Sequence, residues 1–351
     1  MFDEQRGEGV VLKNLLAAAA RVKASDIHLV AEQIPVFRMD GELVPWGNTV
    51  LTEQDIHNIA WSIMKEEQKN KFSLHGDVDF AYNLTGVARY RVNIFRHYGG
   101  TAMAVRLISD KIPTPEELLI PSVCLKLVEK RQGLILVTGA AGSGKSTTLA
   151  SLIGYLNRHY ARHIITLEDP IEYIHLRHKS LISQREIGTD CPSFPAALRA
   201  ALRQDPDVIL IGEMRDKETI RTALTAGASG HLVLGTLHTQ NTVQAIERMV
   251  DIFSEAQQQE VRAYLASVLE GVIAQRLIAK ADGTGRVAAF EVLVAVPAVR
   301  HLIRTGKDHQ LLTVLQTGTQ EGMQSLEKAL RHLADQGLIK DDDGQEFVMG
   351  R

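Results

Sequence analysis

The chain has 351 residues, 45% of them hydrophobic and 23% charged, with a formal net charge of −3. At roughly 100–200 residues per domain this length predicts two or three domains with ample apolar material for cores, and the small negative charge argues against a general nucleic-acid binder. No apolar run nears the ~18 residues of a membrane span, residues 1–6 lack a signal-peptide pattern, and two distant cysteines, Cys124 and Cys191, rule out a four-cysteine zinc site and fit a reducing, cytoplasmic setting.

Residues 10–24 are alanine-rich and helical in pattern. Residues 34–43 predict a hairpin turning at Asp40-Gly41. Residues 54–72 read as one helix, and residues 88–95 and 101–108 alternate as strands. Residues 109–115 contain Pro113 and Pro115 and predict a linker, because proline resists both helix and sheet. Beyond it, residues 134–138, 163–167, 207–211 and 231–235 are apolar runs separated by helical stretches. Strands that are apolar throughout and alternate with helices predict an α/β unit whose parallel sheet is covered on both faces. From about residue 255 the pattern predicts mostly helix to the end, with residues 340–344 as a solvated turn.

The most specific motif is Gly139-Ala140-Ala141-Gly142-Ser143-Gly144-Lys145-Ser146, which fits G-x-x-x-x-G-K-[ST], the phosphate-binding loop of nucleotide triphosphatases. The expected strand precedes it. Thr147 opens the expected helix, whose unpaired N–H groups and positive dipole end favour an anion. Glycines let successive N–H groups turn onto phosphate oxygens. Lys145 is the candidate for the β- and γ-phosphates of ATP, and the Ser146 hydroxyl for Mg²⁺.

Three further elements follow strand signals. Glu168-Asp169-Pro170-Ile171-Glu172 sets acids at a strand end, where ligands bind in open α/β sheets. Glu172 is the candidate that orients and deprotonates the attacking water, with Glu168 and Asp169 behind it or on the metal side. Capping of the next segment is the competing reading. Residues 207–213 end an apolar run in Gly212-Glu213, resembling a Walker B strand with glycine at the usual aspartate position; Glu213 is the metal-side candidate. His231 and His238 bracket another apolar strand, and His238 is placed to sense a γ-phosphate. Histidine serves equally well as a hydrogen-bonded core residue.

With these four elements the chain resembles the secretion ATPases of the type II and type IV pilus superfamily, whose Walker A, Asp, Walker B and His boxes they match. Residues 24–29 with 37–41, 212–221 and 230–239 carry the resemblance to the PilT and PilU retraction branch, as does Ala298-Val299-Arg300-His301-Leu302-Ile303-Arg304, similar to a helix tied there to retraction. Ala140-Ala141 departs from the proline and threonine common in the family. The resemblance implies a RecA-like P-loop ATPase core (116–285), an N-terminal PAS-like α+β domain (1–108), a linker (109–115) and a helical C-terminal region (286–351). It implies a homohexamer that hydrolyses ATP with Mg²⁺ in the cytoplasm and docks on an inner-membrane platform protein of the pilus machinery. A PilU-type paralogue is a possible companion and no nucleic acid is expected. It also places His231, His238, Glu172, Glu213 and Lys145 at the chemistry. Arginines of the first domain would face the nucleotide, Arg96 and Arg106 foremost among Arg89, Arg91, Arg96 and Arg106, with Arg199 and Arg203 as further candidates. In 298–304 the apolar face should pack on the ATPase domain, leaving Arg300 and Arg304, with Lys307 just beyond, free for a partner or a neighbouring subunit, against the competing reading of a solvated basic face. Alternatives are a PilU-like accessory motor, an extension or type II secretion motor, a RecA-like nucleic-acid translocase, and an ATP-binding regulator that hydrolyses nothing.

Overall fold

The computed structural model describes residues 8–22, 24–39, 41–98, 100–108 and 111–340. The N-terminal residues 1–6, Asp40 of the expected turn, Ser109 and Asp110 of the expected linker, and residues 341–344 of the tail lie outside the described residues. The chain forms two compact units, Met1–Lys111 and Ile112–Arg351.

The first unit runs α1 (Glu8–Arg21), β1 (Asp26–Leu29), β2 (Val36–Met39), β3 (Glu42–Pro45), α2 (Glu53–Ile63), α3 (Glu66–His75), β4 (Asp77–Leu84), β5 (Ala88–His97) and β6 (Gly100–Ile108). Its antiparallel sheet has the order β3-β2-β1-β6-β5-β4. In α1, Leu12, Leu16 and Ala19 recur at helical spacing and are buried. They meet inward residues of the strands, among them Ile27, Phe37, Tyr90 and Val105. The Tyr90 hydroxyl donates to the Leu16 carbonyl at 2.8 Å, so this buried polar atom is satisfied. The single helix expected over 54–72 is two, because Met64 and Lys65 take extended backbone and Lys65 starts a new helix. The bend lets Trp61 and Phe72 meet edge to face at 6.0 Å.

The second unit runs α4 (Ser122–Val128), β7 (Gly133–Thr138), α5 (Lys145–His159), β8 (His163–Glu168), β9 (Leu181–Glu186), α6 (Phe194–Ala201), β10 (Val208–Ile211), α7 (Lys217–Ala228), β11 (Leu232–Leu237), α8 (Thr242–Asp251), α9 (Glu255–Val268), β12 (Leu269–Ala279), β13 (Arg286–Val294), α10 (Pro297–Thr305), α11 (Leu311–Thr317) and α12 (Leu326–Asp335). Its seven-stranded sheet has the order β13-β12-β7-β11-β10-β8-β9. All pairs are parallel except the β12–β13 edge. Every residue of β7, β10 and β11 is buried, because helices cover both faces. Separate apolar cores line the two sides, one around Leu134, Ile209 and Val233, the other around Ile135, Leu152 and Leu210.

The expectation of mostly helix beyond residue 255 is corrected by β12 and β13. A continuous apolar run such as Gly271-Val272-Ile273-Ala274 does not distinguish a buried helix from a buried strand by periodicity. Pairing with β7 on one side and β13 on the other settles it as strand. At Gly271 an added Cβ would lie 2.6 Å from Leu127, so only glycine lets α4 approach the sheet there. The sheet also continues past residue 286, where the helical C-terminal region was expected to begin.

Candidate active site

Strand order assembles the site. From β7 outward the neighbours are β11, β10 and β8, all parallel, so their C-terminal ends lie along one edge. β7 leads into residues 139–144, β11 into His238, β10 into Gly212-Glu213, and β8 ends at Glu168. The four motifs, scattered over about 100 residues of chain, thus meet at the edge where open parallel sheets bind ligands.

The loop has the shape its glycines allow. Gly139, Gly142 and Gly144 have φ of 153°, 73° and 87°, and Gly144 caps α5. Lys145 is buried and its Nζ donates to the carbonyls of Gly139 at 2.8 Å and Ala140 at 2.9 Å. Burial pulls the Lys145 pKa down, while the charges of Glu213 and Glu172 oppose that shift. Both carboxylates therefore lie within electrostatic reach of the ammonium. Ser146 and Thr147 occupy the first turn of α5, and the Thr147 hydroxyl is 2.9 Å from the Tyr173 hydroxyl. The Ser143 Oγ is buried without a hydrogen-bond partner. An orphaned hydroxyl, glycines turned to positive φ and a buried ammonium on a helix N-terminus fit a polyphosphate.

Glu213 is held from two sides. Its Oε1 pairs with the Arg215 guanidinium and lies 3.1 Å from His238 Nε2. Burial works against its ionisation, but the hydrogen bond and charge of Arg215 and the charge of His238 outweigh it and keep the carboxyl below its ordinary pKa. The strand ends are tied together. The Thr236 hydroxyl donates to the Gly212 carbonyl, Met214 N–H donates to the Thr236 carbonyl at 3.1 Å, and Thr138 Oγ1 donates to the Thr239 carbonyl at 2.8 Å. Glycine at 212 has a physical reason. A Cβ there would sit 3.0 Å from the Leu167 carbonyl oxygen, so the close approach of β10 to β8 leaves little room for an aspartate.

Glu172 is exposed beyond the cis Asp169–Pro170 bond. Burial pushes the Glu168 carboxyl up, against hydrogen bonds from Thr166 at 2.6 Å and Gln184 at 3.2 Å. Asp169 is exposed. Among the described residues no three His, Cys, Asp or Glu side chains gather into a metal cluster. A magnesium ion here would rest on Ser146 and Glu213, with phosphate and water as its other ligands.

Several expected residues have partners of their own. His231 precedes β11 at the opposite edge of the sheet, where its carbonyl accepts from Gly133 N–H at 3.0 Å and its Nδ1 lies 3.2 Å from both Ser229 Oγ and the Ala226 carbonyl. The seven residue steps through β11, at about 3.3 Å each, put it roughly 23 Å from His238. Arg96 and Arg106 belong to the first unit. Arg96 lies over the Phe72 ring at 5.3 Å, and Arg106 pairs with Asp26 at 2.8 Å. Arg91 pairs with Asp79, Arg199 with Glu218, and Arg203 bonds the Arg199 carbonyl at 3.0 Å. The expected free basic face of α10 is corrected at Arg300. Its guanidinium reaches the carbonyls of Ala295, Ala266 and Ser267 at 2.8–2.9 Å and Glu270 at 2.9 Å. Arg304 and Lys307 are exposed. Tyr173, Gln184 and Gln275 carry no motif in the sequence, because their partners Thr147, Glu168, Ser143 and Thr148 are distant in the chain. The adjacency of Tyr173 to Glu172 was the one local signal available.

The sequence profile described as Type II/IV secretion system protein matches residues 4–284. The type IV pilus retraction ATPase PilT of Pseudomonas aeruginosa is 44% identical over 335 residues, covering 95% of this chain and 97% of that protein. The type IV pilus ATPase PilU of the same organism is 38% identical over 331 residues, covering 94% and 87%. A crystal structure of the pilus retraction motor PilT with bound ADP superposes with a TM-score of 0.89 at 44% identity, covering 95% of this chain and 96% of that one. With a nucleotide-binding edge of this geometry and relatives of this closeness, the chain belongs to the type II/IV secretion system protein family.

Proposed function

We propose that the chain is an ATPase that powers type IV pilus retraction. The observation that carries the chemistry is Lys145 on the phosphate loop, within electrostatic reach of both Glu213 and Glu172 at one sheet edge. The loop amides bind and orient the phosphates, and Lys145 draws off the charge that builds on the β–γ bridge as the P–O bond breaks. Glu172 accepts the proton of the attacking water. Glu213, fixed by Arg215 and His238, orients the metal side of the site. Mg²⁺, when bound, neutralises charge on the transferring phosphoryl group.

Identity favours retraction, since it is higher to PilT than to PilU. The chain then works as a homohexamer whose Arg96 or Arg106 completes a neighbour's site. It docks on an inner-membrane platform protein, alongside any PilU-type paralogue. Its likeness to a pilus retraction ATPase supports a cytoplasmic motor held at the membrane by the pilus machinery. The test is deletion of the gene. Assembled surface pili that no longer retract, with retraction restored by the wild-type chain and not by Lys145→Ala, is the expected outcome. Loss of pilus assembly would point to an extension motor, and unaltered retraction to an accessory one.

A further inference from the structure

Gln275 lies 132 positions after Ser143 in the chain, yet its amide Nε2 donates to the Ser143 carbonyl at 2.8 Å. Its Oε1 accepts from the Thr148 hydroxyl at 2.7 Å, and the residue is only 2% exposed. The two bonds fix the amide's orientation, because a flip would set Oε1 against the Ser143 carbonyl oxygen. Register explains the reach. Ala274 of β12 pairs with Thr138 of β7, so the next residue on β12 runs beside Gly139. The fit is close at both ends of the loop. A Cβ on Gly139 would lie 2.5 Å from the Gln275 carbonyl oxygen, and one on Gly144 would lie 2.9 Å from Gln275 Nε2.

A trans peptide is planar, with its C=O and the following N–H pointing to opposite sides. Anchoring the Ser143 carbonyl on β12 therefore turns the Gly144 N–H away from β12. A loop that binds phosphate through its amides needs that orientation. The hold on Thr148 fixes the first turn of α5 to the same side chain. We propose that Gln275 is a positioning residue that sets the phosphate loop in its binding shape before nucleotide arrives. It touches no phosphate and acts through the peptide between Ser143 and Gly144 and through the start of α5. The inference rests on the proposed ATPase reading.

Gln275→Met keeps the volume and removes both hydrogen bonds. Gln275→Glu keeps an acceptor for Thr148 but faces the Ser143 carbonyl with a carboxylate. Thr148→Val removes one bond. The measurements are the Kd for a fluorescent ADP, hydrogen exchange of amides 139–146 in nucleotide-free protein, and the melting midpoint. Gln275→Met should raise Kd about tenfold and speed exchange in 139–146 alone, with Gln275→Glu worse and Thr148→Val about threefold weaker than wild type. A folded Gln275→Met protein with wild-type Kd and loop exchange overturns the proposal. Should Gln275→Met not fold, wild-type Kd and loop exchange in Thr148→Val overturn it instead. A wild-type protein that binds no ADP refutes the ATPase reading, independently of Gln275.

Discussion

On the proposed reading, Lys145 serves binding while Glu213 and Glu172 serve chemistry. Lys145 is buried on the loop, so Lys145→Ala removes the charge facing the phosphates. Nucleotide affinity should fall about 10- to 100-fold and turnover vanish, which equilibrium binding and steady-state ATPase assays would check. Glu213→Ala and Glu172→Ala should keep ADP affinity within a few-fold and lose about 100-fold or more in turnover. Wild-type turnover in both would remove these carboxylates from the mechanism. His175 gives a pH prediction. Burial, then the nearby Arg158 charge, lowers its pKa from 6.5 to about 4, and its Nδ1 has no partner. Because the folded pKa is depressed, the unfolded chain takes up the proton first as pH falls below 6.5, and stability is lost progressively toward pH 4. Between pH 7 and 5 the loss from this group is about 2 kcal/mol. His175→Gln should flatten the fall in melting midpoint over that range. An unchanged pH profile would show that His175 titrates normally.

Helix α10 shows how one side chain decides an element's role. Its apolar residues Val299, Leu302 and Ile303 are buried against the core that includes Val261 and Leu265 of α9. Arg300 then reaches back to the carbonyls at the end of α9 and to Glu270, which Lys130 also pairs. Helix-end carbonyls lack intrahelical donors, so a guanidinium there satisfies several acceptors at once. Arg300→Ala should cost about 3 kcal/mol and lower the melting midpoint by roughly 10 °C, whereas exposed Arg304→Ala should stay within about 0.5 kcal/mol. Thermal unfolding of the two variants would check this. Equal midpoints would mean the Arg300 contacts contribute nothing. A test of docking through this helix therefore belongs on Arg304 and Lys307, not on Arg300.

For the whole molecule, the nucleotide edge lies in the unit Ile112–Arg351 while Arg96 and Arg106 lie in Met1–Lys111. If either arginine serves a neighbouring subunit, two inactive proteins should complement each other. Mixing Arg96→Ala or Arg106→Ala with Glu213→Ala should restore part of the ATPase activity, because some junctions then combine an intact arginine with an intact Glu213. No recovery, with subunit exchange shown by a labelled partner, would exclude a trans role. Arg106 must exchange Asp26 for the phosphate to act this way, so Asp26→Asn should alter its contribution and leave that of Arg96 unchanged.

Local chemistry in the sequence determined the phosphate loop, the buried parallel strands and the acids at their ends. Glycine spacing, continuous apolar runs and the residue after each run need no distant partner to be read. Residues 134–138 and 207–211 show this: their strands, β7 and β10, differ from the reading by one residue at the start. Only the tertiary structure decided what depends on pairing across the chain. An apolar stretch became β12 because β7 and β13 supplied its hydrogen bonds, and Gln275 on that strand came to hold a loop 132 positions away. His231 and His238 look alike in sequence, yet strand direction sends them to opposite edges of one sheet. Arg300, polar and set on an amphipathic helix, reads as solvent-facing until the end of α9 is brought beside it. A periodic pattern specifies which face of an element is buried, whereas the partner that satisfies a polar group on its margin exists only once the chain has folded.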